Sequence, residues 1–250
     1  MKNRVALYEF ALLLVVLALL LLALLGPALA PPPDYHQFAD QRSWLGMPHA
    51  WDVLSNLPFA LWGLAGLAVL MRLPQSTAQA SPTAQRWLAT LFFGGLVLTA
   101  AASSYYHWQP DEPGLALDRL GMVLAFAGLL GLAVADRVSD RAGGALAAAV
   151  LVFGPLSIAA VLQQDNFLPW VVLQAGSLLL LVALASLPPL RGVLGLRLGT
   201  VIALYALAKA LELGDHAVFA FSDGFVSGHS LKHVVASLAA WPVLAAVLKC

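Results

Sequence analysis

The chain has 250 residues, 61% of them apolar and 10% charged. Its mean hydropathy of +0.85 excludes a water-soluble globular protein, in which about 25% of residues are charged, and it excludes a disordered one. Lys and Arg equal Asp and Glu at 13 each, so no basic surplus exists for nucleic acid. The single cysteine, Cys250, excludes a disulfide framework and a thiolate metal site. It also stands too late for a prenylation box.

A membrane-spanning helix needs about 20 mostly apolar residues, and eight stretches qualify. In chain order they run from Ala6 to Gly26, Trp51 to Met71, Trp87 to Tyr106, Leu115 to Ala135, Gly144 to Gln163, Pro169 to Pro188, Gly195 to Gly214 and Ser230 to Leu248. None shows the alternation of a membrane barrel. Short separators such as Pro31-Pro32-Pro33, Gln75-Ser76-Thr77, Pro188-Pro189 and Gly224 carry turn or breaker residues. The expectation is an all-α membrane protein of one domain with eight spans.

The first span has two readings. Lys2, Arg4, the apolar run and Ala28-Leu29-Ala30 resemble a cleavable secretory signal. The run is long for a signal, however, and Pro31 would follow the cut directly, so a retained helix is expected.

Nine of the thirteen basic residues fall at one set of helix ends: Lys2, Arg4, Arg72, Arg86, Arg137, Arg141, Arg191, Arg197 and Lys249. The excess of Lys and Arg marks the cytoplasmic side. Both termini are therefore expected inside. All six histidines and ten of the thirteen acids fall toward the other, outer side. Intramembrane ionisable groups are costly and mark function by default, so the outer half is where chemistry is expected.

His229 and His233 stand four apart at the start of the last span, on one helix face. This spacing suits two zinc ligands; the plain alternative is one interfacial and one packed histidine. Ser103 stands one turn before His107 at the outer end of the third span. The plain alternative there is a hydroxyl bonded back to its own helix and a boundary histidine. Asp118 lies about one turn inside the fourth span and must be paired, hydrated or neutral. Its neighbour Arg119 can reach up to the interface, which leaves Asp118 in need of another partner. The three features share a depth and a face. Together, His107, His229 and His233 would supply the ligands of a zinc site with an open fourth position. Asp118 would move a proton, and Ser103 would orient water or stabilise an oxyanion.

Ser103-x3-His107, Asp118 eleven residues later and His229-x3-His233 together resemble the alkaline ceramidase family, within the CREST superfamily of membrane hydrolases. The local text is similar too: Ser55-Asn56-Leu57-Pro58-Phe59, Leu117-Asp118-Arg119-Leu120 and Gly228-His229-Ser230-Leu231-Lys232-His233. The resemblance covers roughly 51–241. It implies seven core helices, over 51–250, and a zinc held by three histidines; the N-terminal transmembrane helix over 1–26 and the outer-side loop or cap over 27–50 stand outside that core. It also implies hydrolysis of the ceramide amide to a sphingoid base and a fatty acid, with a membrane lipid as partner. The expected location is a bacterial inner membrane, with the site toward the periplasmic leaflet.

The chain departs from the family pattern at two positions: Arg119 stands where glutamate is usual, and Lys232 where an aromatic residue is common. Asp34, Asp40 and Asp52 could offer oxygens to calcium, but no complete Ca2+ ligand set aligns, so zinc is the expected metal. The plain alternative for the 27–50 loop is a structured cap with His36 and His49 in hydrogen bonds.

Among weaker signals, Lys209 and Glu212 form either an ion pair on a helix face, with the lysine snorkelling, or a headgroup contact. His216 is expected at the boundary rather than as a fourth ligand. Asn56 is expected to brace its neighbours, and Trp51, Tyr105, Tyr106 and Trp108 to form an interfacial belt. Competing functions are a receptor or sensor with a structural zinc, another lipid hydrolase such as an esterase, and a haem protein. Haem ligands usually face one another across a bundle, so a same-face histidine pair suits a compact ion better.

Overall fold

The structure, a computed structural model, describes residues 2–33, 35–73, 83–190 and 193–249. Asp34, Gln75-Ser76-Thr77, Arg191 and Cys250 lie outside the described residues. Every regular element is helical; among the described residues the only β feature is a bridge between Trp44 and Met47. The protein is an all-α membrane bundle; among the described residues, seven helical segments are long and apolar enough to cross a membrane.

The helices are α1 (Lys2–Leu25), α2 (Ala50–Leu54), α3 (Leu57–Arg72), α4 (Thr83–Trp108), α5 (Glu112–Arg137), α6 (Asp140–Gln164), α7 (Leu168–Ala185), α8 (Leu198–Leu213), α9 (Asp215–Phe221), α10 (Gly228–Leu238) and α11 (Ala240–Val247). Two of the expected spans are each broken into a helix pair. Pro58 sits in the first turn of α3, where its missing N–H costs nothing, and the chain bends at Ser55 and Asn56 just before it. Pro242 likewise follows the break at Ala239 between α10 and α11.

The seventh expected span differs from the sequence reading. α8 has only 16 residues, about 24 Å of helix against a hydrocarbon core of about 30 Å. Its start is held back because the Asp136 carboxylate accepts the Gly195 and Leu196 N–H groups at 2.7 and 3.1 Å. Arg137 also donates to the Leu196 carbonyl at 2.7 Å. Its end is set at Gly214, after which α9 begins.

Lipid tails offer no hydrophobic drive between helices, so small residues let membrane helices pack. α4 and α5 meet on Gly95, Gly121 and Gly128. A Cβ on Gly128 would lie 2.3 Å from the Phe92 nitrogen, and one on Gly95 would lie 2.4 Å from the Ala125 nitrogen. This tight pair fixes the depth of His107 on α4 relative to Asp118 on α5. α1 flanks the bundle, with none of its apolar window buried. It is pinned at one end by Glu9, which accepts from Ser139 (2.6 Å) and Arg141 (2.5 Å). At the other end Phe167 donates its N–H to the Leu29 carbonyl at 2.6 Å.

Candidate metal centre

His107 lies in the last turn of α4, and His229 and His233 lie one turn apart on α10. All three are buried, and one nitrogen of each lies within 4.8 Å of the others. The ring centroids are 4.7 to 5.0 Å apart. The His107 and His229 Nε2 atoms are separated by 3.2 Å, close to the edge of about 3.3 Å between two nitrogens on a tetrahedral zinc. The cluster can therefore hold a metal ion.

The protonation pattern around His233 agrees with this. Ser55 Oγ donates its one hydrogen to the Asp52 carbonyl at 2.9 Å. The same hydroxyl lies 2.7 Å from His233 Nδ1. With Nδ1 engaged by Ser55, Nε2 is the nitrogen that His233 can offer to a ligand.

The helix that carries two of the histidines is fastened by buried acids. Asp52 Oδ1 accepts from Ser230 at 2.6 Å and from Ser227 at 3.2 Å. Ser227 caps α10 by accepting the Ser230 N–H. Asp215 Oδ1 accepts the His229 N–H at 2.8 Å, and its Oδ2 accepts the Ala39 N–H at 2.9 Å. Asp215 thus ties α10 to the 27–49 loop.

That loop covers the cluster. The Phe38 ring is buried and stands 4.6 Å from the rings of both His107 and His229. His36 contacts the Tyr106 hydroxyl at 2.9 Å and Glu112 at 3.3 Å, and His49 Nδ1 lies 3.2 Å from the Asp40 carbonyl. The cap expected from the sequence is present, with both histidines in hydrogen bonds. The calcium expectation gains no geometry: Asp40 is held by Arg42 at 2.5 Å and Asp52 by the two serines. Among the described residues only the three histidines form a potential metal-binding group.

A cavity runs from this cluster between the helices. Its wall includes His233, Ser103, Asp118, Lys209, Glu212 and Lys232. Ser103 is buried and lies beside the Asp118 carboxylate. The structure brings together all five residues named from the sequence: Ser103, His107, Asp118, His229 and His233.

The expectations for Arg119 and Tyr106 are corrected. Arg119 does not reach the interface; it is 2% exposed. Its guanidinium lies 5.0 to 5.1 Å from the rings of Tyr35, Phe167 and Trp170 and donates to the Tyr35 hydroxyl. Burial pushes the Tyr35 phenol up, and Arg119 opposes this. Tyr106 is buried under the cap rather than in an interfacial belt, while Trp51, Tyr105 and Trp108 are about half exposed. His216 is exposed and stands outside the cluster. Asn56 does brace its neighbours, donating to the Asp52 carbonyl at 2.9 Å.

Sequence reasoning gave no role to Phe38, Asp215 or Ser55, because each acts through a partner remote in sequence. It also read Lys209 and Glu212 as a pair, whereas Lys232 joins them from α10 at 2.7 Å. No known protein family matches the chain, and no curated protein matches it.

Proposed function

We propose that the protein is a zinc-dependent intramembrane lipid amidase. The observation that carries this is the convergence of three buried imidazoles at the edge of a cavity whose wall also holds Asp118 and Ser103. His107, His229 and His233 would hold the metal. Bound there, zinc supplies Lewis acidity, polarising a carbonyl and acidifying a water to a pKa of about 7. Asp118 takes the proton of the attacking water and delivers it to the amide nitrogen as the C–N bond breaks. Ser103 holds the Asp118 carboxylate toward the cavity. Phe38 and the cap keep bulk water from the histidines. The resemblance to alkaline ceramidases favours ceramide-like amides, cleaved to a sphingoid base and a fatty acid.

The distribution of Lys and Arg supports cytoplasmic termini and a site opening toward the outer leaflet of a bacterial inner membrane. A purely structural metal needs no access from a cavity, so a cavity that reaches His233 favours catalysis. A haem would need the space that Phe38 fills, so the packed cluster favours a compact ion.

The test is lipid mass spectrometry after zinc-replete protein is incubated with ceramides, phospholipids and N-acyl amino lipids. Release of fatty acid and amine from an amide lipid is expected. Cleavage of phospholipid esters alone would make it an esterase, and no cleavage with full metal occupancy would favour a sensor.

A further inference from the structure

The cavity wall carries a second polar cluster that the amide chemistry does not use. Glu212 on α8 sits between two ammonium groups. Lys232 Nζ lies 2.7 Å from its Oε1, and Lys209, one turn away on α8, bonds its Oε2. The charges of the cavity balance. Its wall holds Lys209 and Lys232 against Glu212 and Asp118, and Asp118 interacts electrostatically with Lys232. A charged ligand head would add an ion that finds no spare counter-charge here, and a buried unpaired charge is costly.

Hydrogen-bonding capacity is left over, however. An ammonium has three donors and a carboxylate about four lone-pair sites, while Glu212 receives one bond from each lysine. The side chains of Lys209, Glu212 and Lys232 stay 37%, 31% and 19% exposed, and all three line the cavity. Gln174 adds an amide from α7, which both donates and accepts. The complement of such a wall is a neutral group that donates and accepts at one atom. A hydroxyl does this, with one O–H and two lone pairs: its hydrogen goes to Glu212 and its oxygen accepts from an ammonium or from Gln174.

We propose that Lys209, Glu212 and Lys232 form a hydroxyl-binding subsite, which selects amides whose amine part carries a neutral hydroxyl near the scissile bond. This rests on the amidase proposal and names the residues that read the substrate head. The amine part is favoured over the acyl part because Asp118 serves the amide nitrogen in that reaction and is itself attracted to Lys232.

The experiment uses full-length, zinc-loaded protein in detergent. N-palmitoylethanolamine, N-palmitoylpropylamine and N-palmitoylglycine are compared by kcat/KM; their heads end in a hydroxyl, a methyl and a carboxylate. The ethanolamide is expected to be cleaved about tenfold faster than either of the others, as a site built to bond a hydroxyl rejects analogues without it. Lys209→Met lies on α8, away from the histidines, and should reduce the ethanolamide to propylamide ratio severalfold, mainly through KM. Lys232→Met should do the same, and Lys232→Arg should restore the ratio. Equal rates for ethanolamide and propylamide, or an unchanged ratio in both methionine variants, overturns the subsite. Faster cleavage of the glycine conjugate overturns its neutral character. If N-(2-hydroxypalmitoyl)propylamine matches the ethanolamide, the assignment to the amine part is overturned.

Displacement of a fluorescent fatty acid by the same amides needs no turnover. If no amide is cleaved, the amidase proposal fails and binding decides the subsite. Tighter binding of the ethanolamide than of the propylamide, lost in Lys209→Met, upholds it, and equal binding overturns it.

Discussion

Ser55 lies 2.7 Å from His233 Nδ1 and donates its own hydrogen to the Asp52 carbonyl. Engaging Nδ1 leaves Nε2 as the nitrogen that His233 offers to the cavity. Hydrogen-bond partners of this kind are typically worth ten- to a hundredfold in metal affinity. Ser55→Ala is expected to weaken zinc binding by about tenfold or more, read by titration against a chromophoric chelator. Wild-type affinity would remove Ser55 from the site.

The three histidines should fail as a set. His107→Ala, His229→Ala and His233→Ala each leave two ligands, too few for a stable zinc site. Each purified variant is expected to retain far less zinc by elemental analysis and to lose lipid hydrolysis. Full activity in any of them sinks the proposed function.

Asp118 separates metal binding from proton transfer. Asp118→Asn keeps the shape and the contact with Ser103 but removes the base. Zinc stoichiometry should stay at the wild-type level while turnover falls by about a hundredfold or more. Unchanged turnover rejects the proton-transfer role.

Metal removal should destabilise the protein. The ligands come from α4 and α10, far apart in the chain, so the unfolded chain cannot gather them. Binding to the folded form alone contributes about 4 kcal/mol when free metal is a thousand times its dissociation constant. Chelation should therefore lower the melting temperature, and added zinc should raise it in a concentration-dependent way. A melting temperature indifferent to zinc would falsify metal binding by the folded state.

Asp215 joins the cap to the ligand helix by accepting the Ala39 and His229 N–H groups at 2.9 and 2.8 Å. Asp215→Ala strands two donors, each costing about 1–3 kcal/mol if left unsatisfied. The variant should melt lower and be cut faster by protease within 27–49. Unchanged protease resistance would show that the cap is held by other contacts.

Much of this protein was legible in its sequence because the bilayer imposes a one-dimensional constraint. A run such as Leu115 to Ala135 must be helical in lipid, since every backbone polar group has to be satisfied within the segment. The charge asymmetry and the four-residue spacing of His229 and His233 are equally local. The sequence was less informative where a long-range bond decides the outcome. α8 is shorter than its apolar run because Asp136 holds Gly195 and Leu196. Arg119 is buried because Tyr35, Phe167 and Trp170 enclose it.

From the sequence alone one could establish a helical membrane protein, the approximate depth of each ionisable residue and five candidate site residues. All of these follow from hydropathy, helical periodicity and spacing along one chain direction. Only the tertiary structure decided that the three imidazoles meet, that Phe38 covers them, that Ser103 lies beside Asp118 and that Lys232 joins Lys209 and Glu212. Those depend on the rotation and separation of packed helices. These are set by close contacts such as Gly128 against Phe92, between residues whose pairing no local pattern encodes.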